Sequence, residues 1–441
     1  MKATPPRSHR RRNARPGRRR LLALGAALAA ALLITGVFVI ANGNRPLRIG
    51  YFADWNVANR DFTVGNLADS GAPARLDRLM WAFGDISEDG LCHVPGGHEQ
   101  SWELYQRRYS ARESVSGEAD EYEQELAGSL YQLRLLQGEY PDLRASLSLG
   151  GWNWSRHFST AARTEESRRA FVSSCVDLWL RGNLPVRGGE PQGGEGAAAG
   201  IFDGIDLDWE WPGGAGNPHN VEDPGDAANF TLLVAEFRRQ LDALSEETGR
   251  EYTLSASLSG APDQAGAYDP EIFDHLDFAT VQGYDFSGPW SEVTAYHSNL
   301  YPPAADPDAN SADAAVTRFV DLGAPPEKLV LGIPAFGRGW QGVEGSGDGL
   351  GLPARPADDA YDGPTMAFSE LEELEGERYL DEEAGAFAVR AGDQWWAYDD
   401  PAVIAIKGDY VLGRGLGGLM VWNLDMDPTG DLVRAMDEAL R

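Results

Sequence analysis

Short apolar runs alternate with amphipathic stretches along most of this 441-residue chain, the alternation of a βα repeat. Eight runs have the length and composition of strands: 47–52, 79–83, 145–149, 201–209, 253–258, 278–284, 329–333 and 418–422. Helical patterns lie between several of them, such as 227–244 and 314–322. Eight strands separated by helices predict an α/β fold, the (β/α)8 TIM barrel, which takes about 250 residues. The chain is longer than that, and three stretches account for the surplus. Residues 87 to about 130 follow strand two, carry charge and aromatics, and leave the barrel where its strands end. Residues 184–200 are Gly-rich, so they are expected to be flexible and to lie on the opposite face. Residues 341–394, between strands seven and eight, contain apolar segments of their own, which predicts a small subdomain rather than a loop.

The tail of strand four breaks the usual pattern. Asp203-Gly204-Ile205-Asp206-Leu207-Asp208-Trp209-Glu210 places four carboxylates within eight residues. From Ile205 onward acid and apolar residues alternate strictly, the period of a strand. Asp206, Asp208 and Glu210 then share one face, about 6.6 to 6.8 Å apart per pair. Ile205, Leu207 and Trp209 take the other face, under the helices. A solvated edge strand does not normally alternate acids with Ile, Leu and Trp. A calcium loop wants Gly at its sixth position and an acid at its twelfth, and counting from Asp206 these are Trp211 and Asn217. The remaining reading is a catalytic row. Three acids on one face cannot all ionise cheaply, so at least one holds a proton near neutral pH. A protonated carboxyl beside ionised partners is what cleaving a glycosidic bond requires.

Asp203-x-x-Asp206-x-Asp208-x-Glu210 resembles the signature of the family 18 glycoside hydrolases, the chitinases, at all four acids. Further stretches resemble the same family in order. Ser148-Leu149-Gly150-Gly151-Trp152 closes strand three. Gly283-Tyr284-Asp285-Phe286 closes strand six, with Gln282 where the family usually has Met. Gly332 to Trp340 ends strand seven, and Gly418 to Asp425 ends strand eight. The resemblance is to the bacterial type that carries an α+β insertion before the last strand, which 341–394 matches in place.

The resemblance implies retaining hydrolysis of β-1,4-linked N-acetylglucosamine, with the substrate's own acetamido oxygen as nucleophile and no cofactor. Glu210 would be the general acid. Asp208 would bond the acetamido N–H and swing between Asp206 and Glu210, Asp206 would share the proton, and Tyr284 would donate to the acetamido oxygen. Asp285 would fix Tyr284 and the sugar, with Arg338 as its partner or as a sugar contact. Trp422 would floor the cleavage subsite, and Tyr51 and Phe83 would line the pocket. Asp203 and Ser148 would support the row. Trp152, Trp290 and Trp340 follow strand ends and are sugar-stacking candidates, whereas Trp209 should face outward. The seven histidines lie outside the motifs and are assigned no role.

Two other functions fit the same barrel: a chitin-binding lectin, which would lack the need for Glu210, and an endo-β-N-acetylglucosaminidase acting on N-glycans or cell-wall glycans. No Cys/His cluster has metal-ligand spacing, so no metal is expected.

Residues 1–41 stand apart, leaving 42–441 as the catalytic unit. Nine basic residues and no acid precede an apolar run over 21–41. This is an export signal, cleaved so that the protein is secreted, or retained as a membrane anchor with the barrel outside. Without it, 29 Lys and Arg face 68 Asp and Glu, a net charge of −39. Such a surface repels nucleic acid and anionic membranes, while a neutral polysaccharide is indifferent to it. The expected partner is chitin or its oligomers, met by a monomer. Export permits Cys92 and Cys175 to pair, but two separate buried thiols fit the sequence equally well.

Overall fold

The computed structural model describes Met1 and residues 45–94, 101–358 and 364–441. The chain divides into Met1–Arg45 and Pro46–Arg441. The N-terminal basic and apolar run lies outside the described residues. Among the described residues no helix is long and apolar enough to cross a membrane.

Eight parallel strands close into a barrel: β1 (Leu47–Ala53), β2 (Arg78–Ile86), β3 (Arg144–Gly150), β4 (Gly204–Asp208), β5 (Thr253–Leu258), β6 (Phe278–Val281), β7 (Leu329–Pro334) and β8 (Gly418–Trp422). Each pairs with the next in sequence, and β1 pairs with both β2 and β8, which leaves no edge. The period-two pattern sorts the side chains. Ile205, Leu207, Leu254 and Leu258 pack outward against helices such as Asp226–Thr248, where Phe230, Leu233, Val234 and Phe237 are buried. Ile49, Met80, Val330 and Met420 fill the interior, with Ser146, Ser148, Asp206, Ser255 and Thr280 buried among the strands.

Two strands are shorter than their apolar runs suggest. β4 starts at Gly204 and stops at Asp208, and β6 stops at Val281. Past these points side chains take over from strand neighbours: the Glu210 amide donates to Ser155 Oγ at 2.9 Å. Glu210 and Tyr284 thus lie on loops leaving the mouth of the barrel, where TIM barrels place chemistry.

The three surplus stretches have distinct fates. The insertion before β8 is an antiparallel sheet that begins earlier and ends later than its apolar segments indicated, from Phe336–Gln341 through Gln394–Tyr398. Its core holds Trp340, Trp395 and Tyr296. The Gly-rich 184–200 stretch is tied down rather than loose. Tyr105 Oη donates to the Pro185 carbonyl at 2.6 Å, the Gly193 amide donates to the Glu125 carbonyl at 3.0 Å, and Gln192 is fully buried. Its glycines supply the positive φ angles of consecutive tight turns, at Gly188, Gly189, Gly193 and Gly194. The excursion after β2 therefore wraps down the barrel side to meet a segment expected on the far face. Cys92, in the short strand Cys92–His93 that pairs with the end of β2, forms a disulfide with Cys175 at the end of helix Glu165–Cys175. That bond closes a separation of 83 residues and settles the question that composition left open.

Candidate active site

The acidic row begins deep in the barrel. Asp206 is fully buried and accepts three hydroxyl hydrogen bonds: from Tyr51 Oη at 2.8 Å, Ser148 Oγ at 2.7 Å and Ser255 Oγ at 2.7 Å. Burial raises its pKa, and these donors offset part of that rise. Asp208 is also buried, and its Oδ1 has no hydrogen-bond partner among the described residues. Burial first, then the charge of Asp206, pushes Asp208 up to about 8. Glu210 sits half-buried at the mouth. Its pKa is raised well above the ordinary range by the desolvating surroundings, then by Asp208 and Asp285. Near neutral pH the row therefore holds protons, which a general acid must.

Glycines let the chain pass close to this row. A Cβ on Gly150, whose φ is +105°, would lie 2.4 Å from the Asp208 carbonyl oxygen. One on Gly151 would lie 2.4 Å from the Phe83 ring. The Gly-Gly pair is thus a steric requirement of β3 ending beside β4. Gly283 has a similar reason, since its Cβ would lie 2.3 Å from the Gly332 carbonyl oxygen.

Tyr284 lies beside the row, nearly buried, with its hydroxyl held protonated by burial and then by Asp208, Asp285 and Glu210. Asp285 follows with φ +60° and takes a bidentate pair from Arg338, Nε to Oδ1 at 2.8 Å and Nη2 to Oδ2 at 2.9 Å. Burial, the largest influence, would raise Asp285, but the charge and hydrogen bonds of Arg338, with a smaller contribution from His297, together outweigh it and hold the carboxyl well below the usual range. Of the two roles expected for Arg338, partnership with Asp285 is the contact present.

Aromatic rings wall the mouth. Trp422 contacts Tyr51 at 5.2 Å between ring centres and stacks on Phe83 at 5.6 Å. Trp55 and Trp154 join them, 5.4 Å apart and each within 6 Å of Phe83. Trp152 and Trp290 are 48% and 64% exposed, free for a ligand to cover. Trp340 is not: it is fully buried against Trp395 in the insertion core, so its place in the stacking set is withdrawn. It follows β7 as a strand of the second sheet, whose face turns it inward. Trp209 packs flat on Phe158 at 5.2 Å, outside the barrel.

Asp203 stands apart from the row. It binds Arg78 at 2.7 Å and Arg144 at 3.5 Å at the opposite end of the strands, and Arg78 also donates to Ser146 and Thr253 hydroxyls. Its link to Asp206 runs through the charge of Arg78.

Sequence reasoning missed several neighbours. Ser255 and Ser257 alternate with Leu254, Ala256 and Leu258, so period-two parity marks them as inward. Ser155 bridges the Gly151 and Asp208 carbonyls and the Glu210 amide, and nothing in the sequence flags it. Trp55, Trp154 and His297 likewise carry no local signal. Among the described residues no group of His, Cys, Asp and Glu could hold a metal ion.

A barrel with carboxylates climbing β4 to its mouth defines a class, and comparison with known sequences gives the family. The profile of glycosyl hydrolases family 18 matches residues 48–427, and the chain belongs to that family. It is 32% identical over 409 residues to Chitinase 63 of Streptomyces plicatus, covering 91% of this chain and 61% of that protein. It is 32% identical over 389 residues to Chitinase C of Streptomyces lividans, covering 86% and 57%. The chain thus spans about three fifths of the length of these relatives. Among solved structures, the catalytic domain of psychrophilic chitinase B from Arthrobacter TAD20 is 41% identical with a TM-score of 0.86, covering 90% of this chain and 96% of that one.

Proposed function

We propose that this chain is a secreted, monomeric chitinase that hydrolyses β-1,4-N-acetylglucosamine linkages with retention of configuration. Residues 1–41 serve export, and 42–441 form the catalytic unit with its insertion at 341–394. The observation that carries this reading is the row itself: Asp206 and Asp208 are buried in the barrel and Glu210 stands at its mouth, with burial and neighbouring carboxylates raising the pKa of Asp208 and Glu210.

In the first step Glu210 gives its proton to the glycosidic oxygen as that bond breaks. The acetamido oxygen of the sugar on the non-reducing side attacks its own anomeric carbon, forming an oxazolinium ion. Tyr284 donates to that oxygen and aligns it for attack. Asp208, anionic after passing its proton toward Asp206, accepts from the acetamido N–H and balances the ion's charge. Water then attacks the anomeric carbon from the opposite side and gives its proton to the Glu210 carboxylate, restoring the acid. Trp422, Tyr51 and Phe83 hold the apolar faces of the reacting sugar, while Trp152 and Trp290 extend contact along the chain. Asp285 anchors the adjoining sugar, and Ser148 steadies Asp206.

The test is a time course on a soluble N-acetylglucosamine pentamer, with products resolved by length and anomer. The wild type should release β-anomers first. Glu210→Gln should still bind while turning over on the order of 10³-fold more slowly. Wild-type rates in that variant would remove Glu210 from its role. Release of glycans from glycoproteins, with the pentamer uncut, would point to the endo-β-N-acetylglucosaminidase reading instead.

A further inference from the structure

Outside the acidic row, a buried histidine lies beside the site without a task. His297 is fully buried, its ring 5.2 Å from that of Phe336. Its Nδ1 lies 3.7 Å from Asp285 Oδ1, and neither ring nitrogen has a hydrogen-bond partner among the described residues. The His297 carbonyl accepts from the Phe286 amide at 3.0 Å, which closes the base of the loop carrying Trp290. On the far side, Asp399 is paired with buried Lys407 and accepts from Ser298 Oγ at 2.7 Å. The imidazole therefore lies between the site and a buried ion pair of the fold.

We propose that His297 is a positioning residue: its Nδ1–H, facing Asp285 Oδ1 across 3.7 Å, restrains that carboxylate from inside the fold by electrostatic contact and packing rather than by a closed hydrogen bond, and so keeps Tyr284, the chain neighbour of Asp285, beside the carboxylate row. The inference rests on the functional reading above. Three charged groups and burial bear on the imidazole. Burial lowers its pKa, Asp285 and Asp399 raise it, and Arg338 lowers it; the net direction is down, so the ring is neutral near pH 7. Neutrality suits the role. A cation here would quench Asp285, whose negative charge helps keep Glu210 protonated. A neutral donor restrains the carboxylate and leaves its field on Glu210 intact. Arg338 grips both oxygens from the insertion side, and His297 supplies a second direction of restraint, which a carboxylate on a left-handed residue needs if its neighbour is to stay in line.

The test uses the full chain with two variants. His297→Leu removes the donor and keeps an apolar filler. Its kcat on the pentamer should fall roughly ten- to hundredfold, the cost of misplacing a reacting group by about an ångström, with KM within about twofold. The basic limb of its kcat/KM profile should also move to lower pH, because a loosened Asp285 raises Glu210 less. His297→Asn places an amide N–H near the position of Nδ1 and should restore most of kcat and the wild-type limb. Wild-type kcat and limb in a folded His297→Leu, or an Asn variant as impaired as Leu with its limb unmoved, would overturn the proposal in favour of packing alone. An independent readout needs no turnover: in ¹⁵N-histidine-labelled protein, the resonances absent from His297→Asn should report the neutral Nδ1–H tautomer between about pH 6 and about pH 8. An Nε2–H tautomer or an imidazolium there refutes the proposal even if His297→Leu fails to fold. Failure of the wild type to cut the pentamer counts against the functional reading and leaves the tautomer result to decide this one.

Discussion

The two ends of β4 bury the same functional group under opposite conditions. At the entry, Asp203 is clamped by Arg78 and Arg144, and the Arg78 guanidinium also ties in hydroxyls from β3 and β5. At the exit, among the described residues, Asp206 receives only hydroxyl donors and Asp208 keeps an unpartnered oxygen, while Glu210 faces the cleft. The entry acid has cations because it ties strands together. Among the described residues the exit acids pair with no cation, and one there would hold them ionised and remove the proton the reaction uses. Asp285 shows the contrast within the mouth itself: paired with Arg338 it stays ionised and serves as a fixed charge.

The largest effect in stability should come from breaking the entry. Arg78→Met leaves Asp203 buried with only the longer Arg144 contact, and should cost about 3 kcal/mol or more by denaturant unfolding. An unchanged midpoint and slope would mean that the clamp contributes nothing to holding the barrel.

At the exit the sign reverses. Asp208 binds its proton more tightly folded than unfolded, so between its ordinary value of 3.8 and about 8 the wild type loses stability as pH rises. The slope from this one group is at most about 1.4 kcal/mol per pH unit. Asp208→Asn should flatten that loss and be the more stable protein at pH 8 while being nearly inactive. Melting curves at pH 5 and pH 8 decide it: if the gap between variant and wild type does not widen with pH, Asp208 is not held protonated by its site.

The smallest effect concerns the hydroxyls. Tyr51→Phe removes one of three donors to Asp206, a loss of about 1 kcal/mol of hydrogen bonding. Asp206 should then titrate higher and hold a proton of its own before Asp208 can pass one to it, lowering kcat several-fold and leaving KM near its wild-type value. A kcat equal to the wild type would show that Ser148 and Ser255 suffice.

Much of this was legible because it is local. Period-two alternation placed Ile205 and Leu207 outside and Asp206 and Asp208 inside, and the run of eight apolar segments implied the closed barrel. A pair of helices was found to within a few residues, such as Asp226–Thr248 against a pattern over 227–244. What stayed illegible depends on where distant segments meet. Trp340 reads like Trp152 in one dimension, since both follow strand ends; only the second sheet turns one into a core residue and leaves the other at the surface. Ser155 and His297 look ordinary because their partners, Glu210 and Asp285, lie 55 and 12 residues away in the chain. The Gly-rich stretch at 184–200 looked loose because composition reports backbone freedom but not the Tyr105 and Glu125 contacts that remove it.

The sequence by itself determined the barrel, the acidic row and the family, because strand parity and a contiguous motif are properties of neighbours along the chain. Only the tertiary structure decided which acids share a cation, which aromatics face the cleft, that Cys92 meets Cys175, and that a buried histidine stands behind Asp285. Each of those depends on two or more segments converging in space, and burial and charge, which set the pKa of every acid in the row, exist only after they converge.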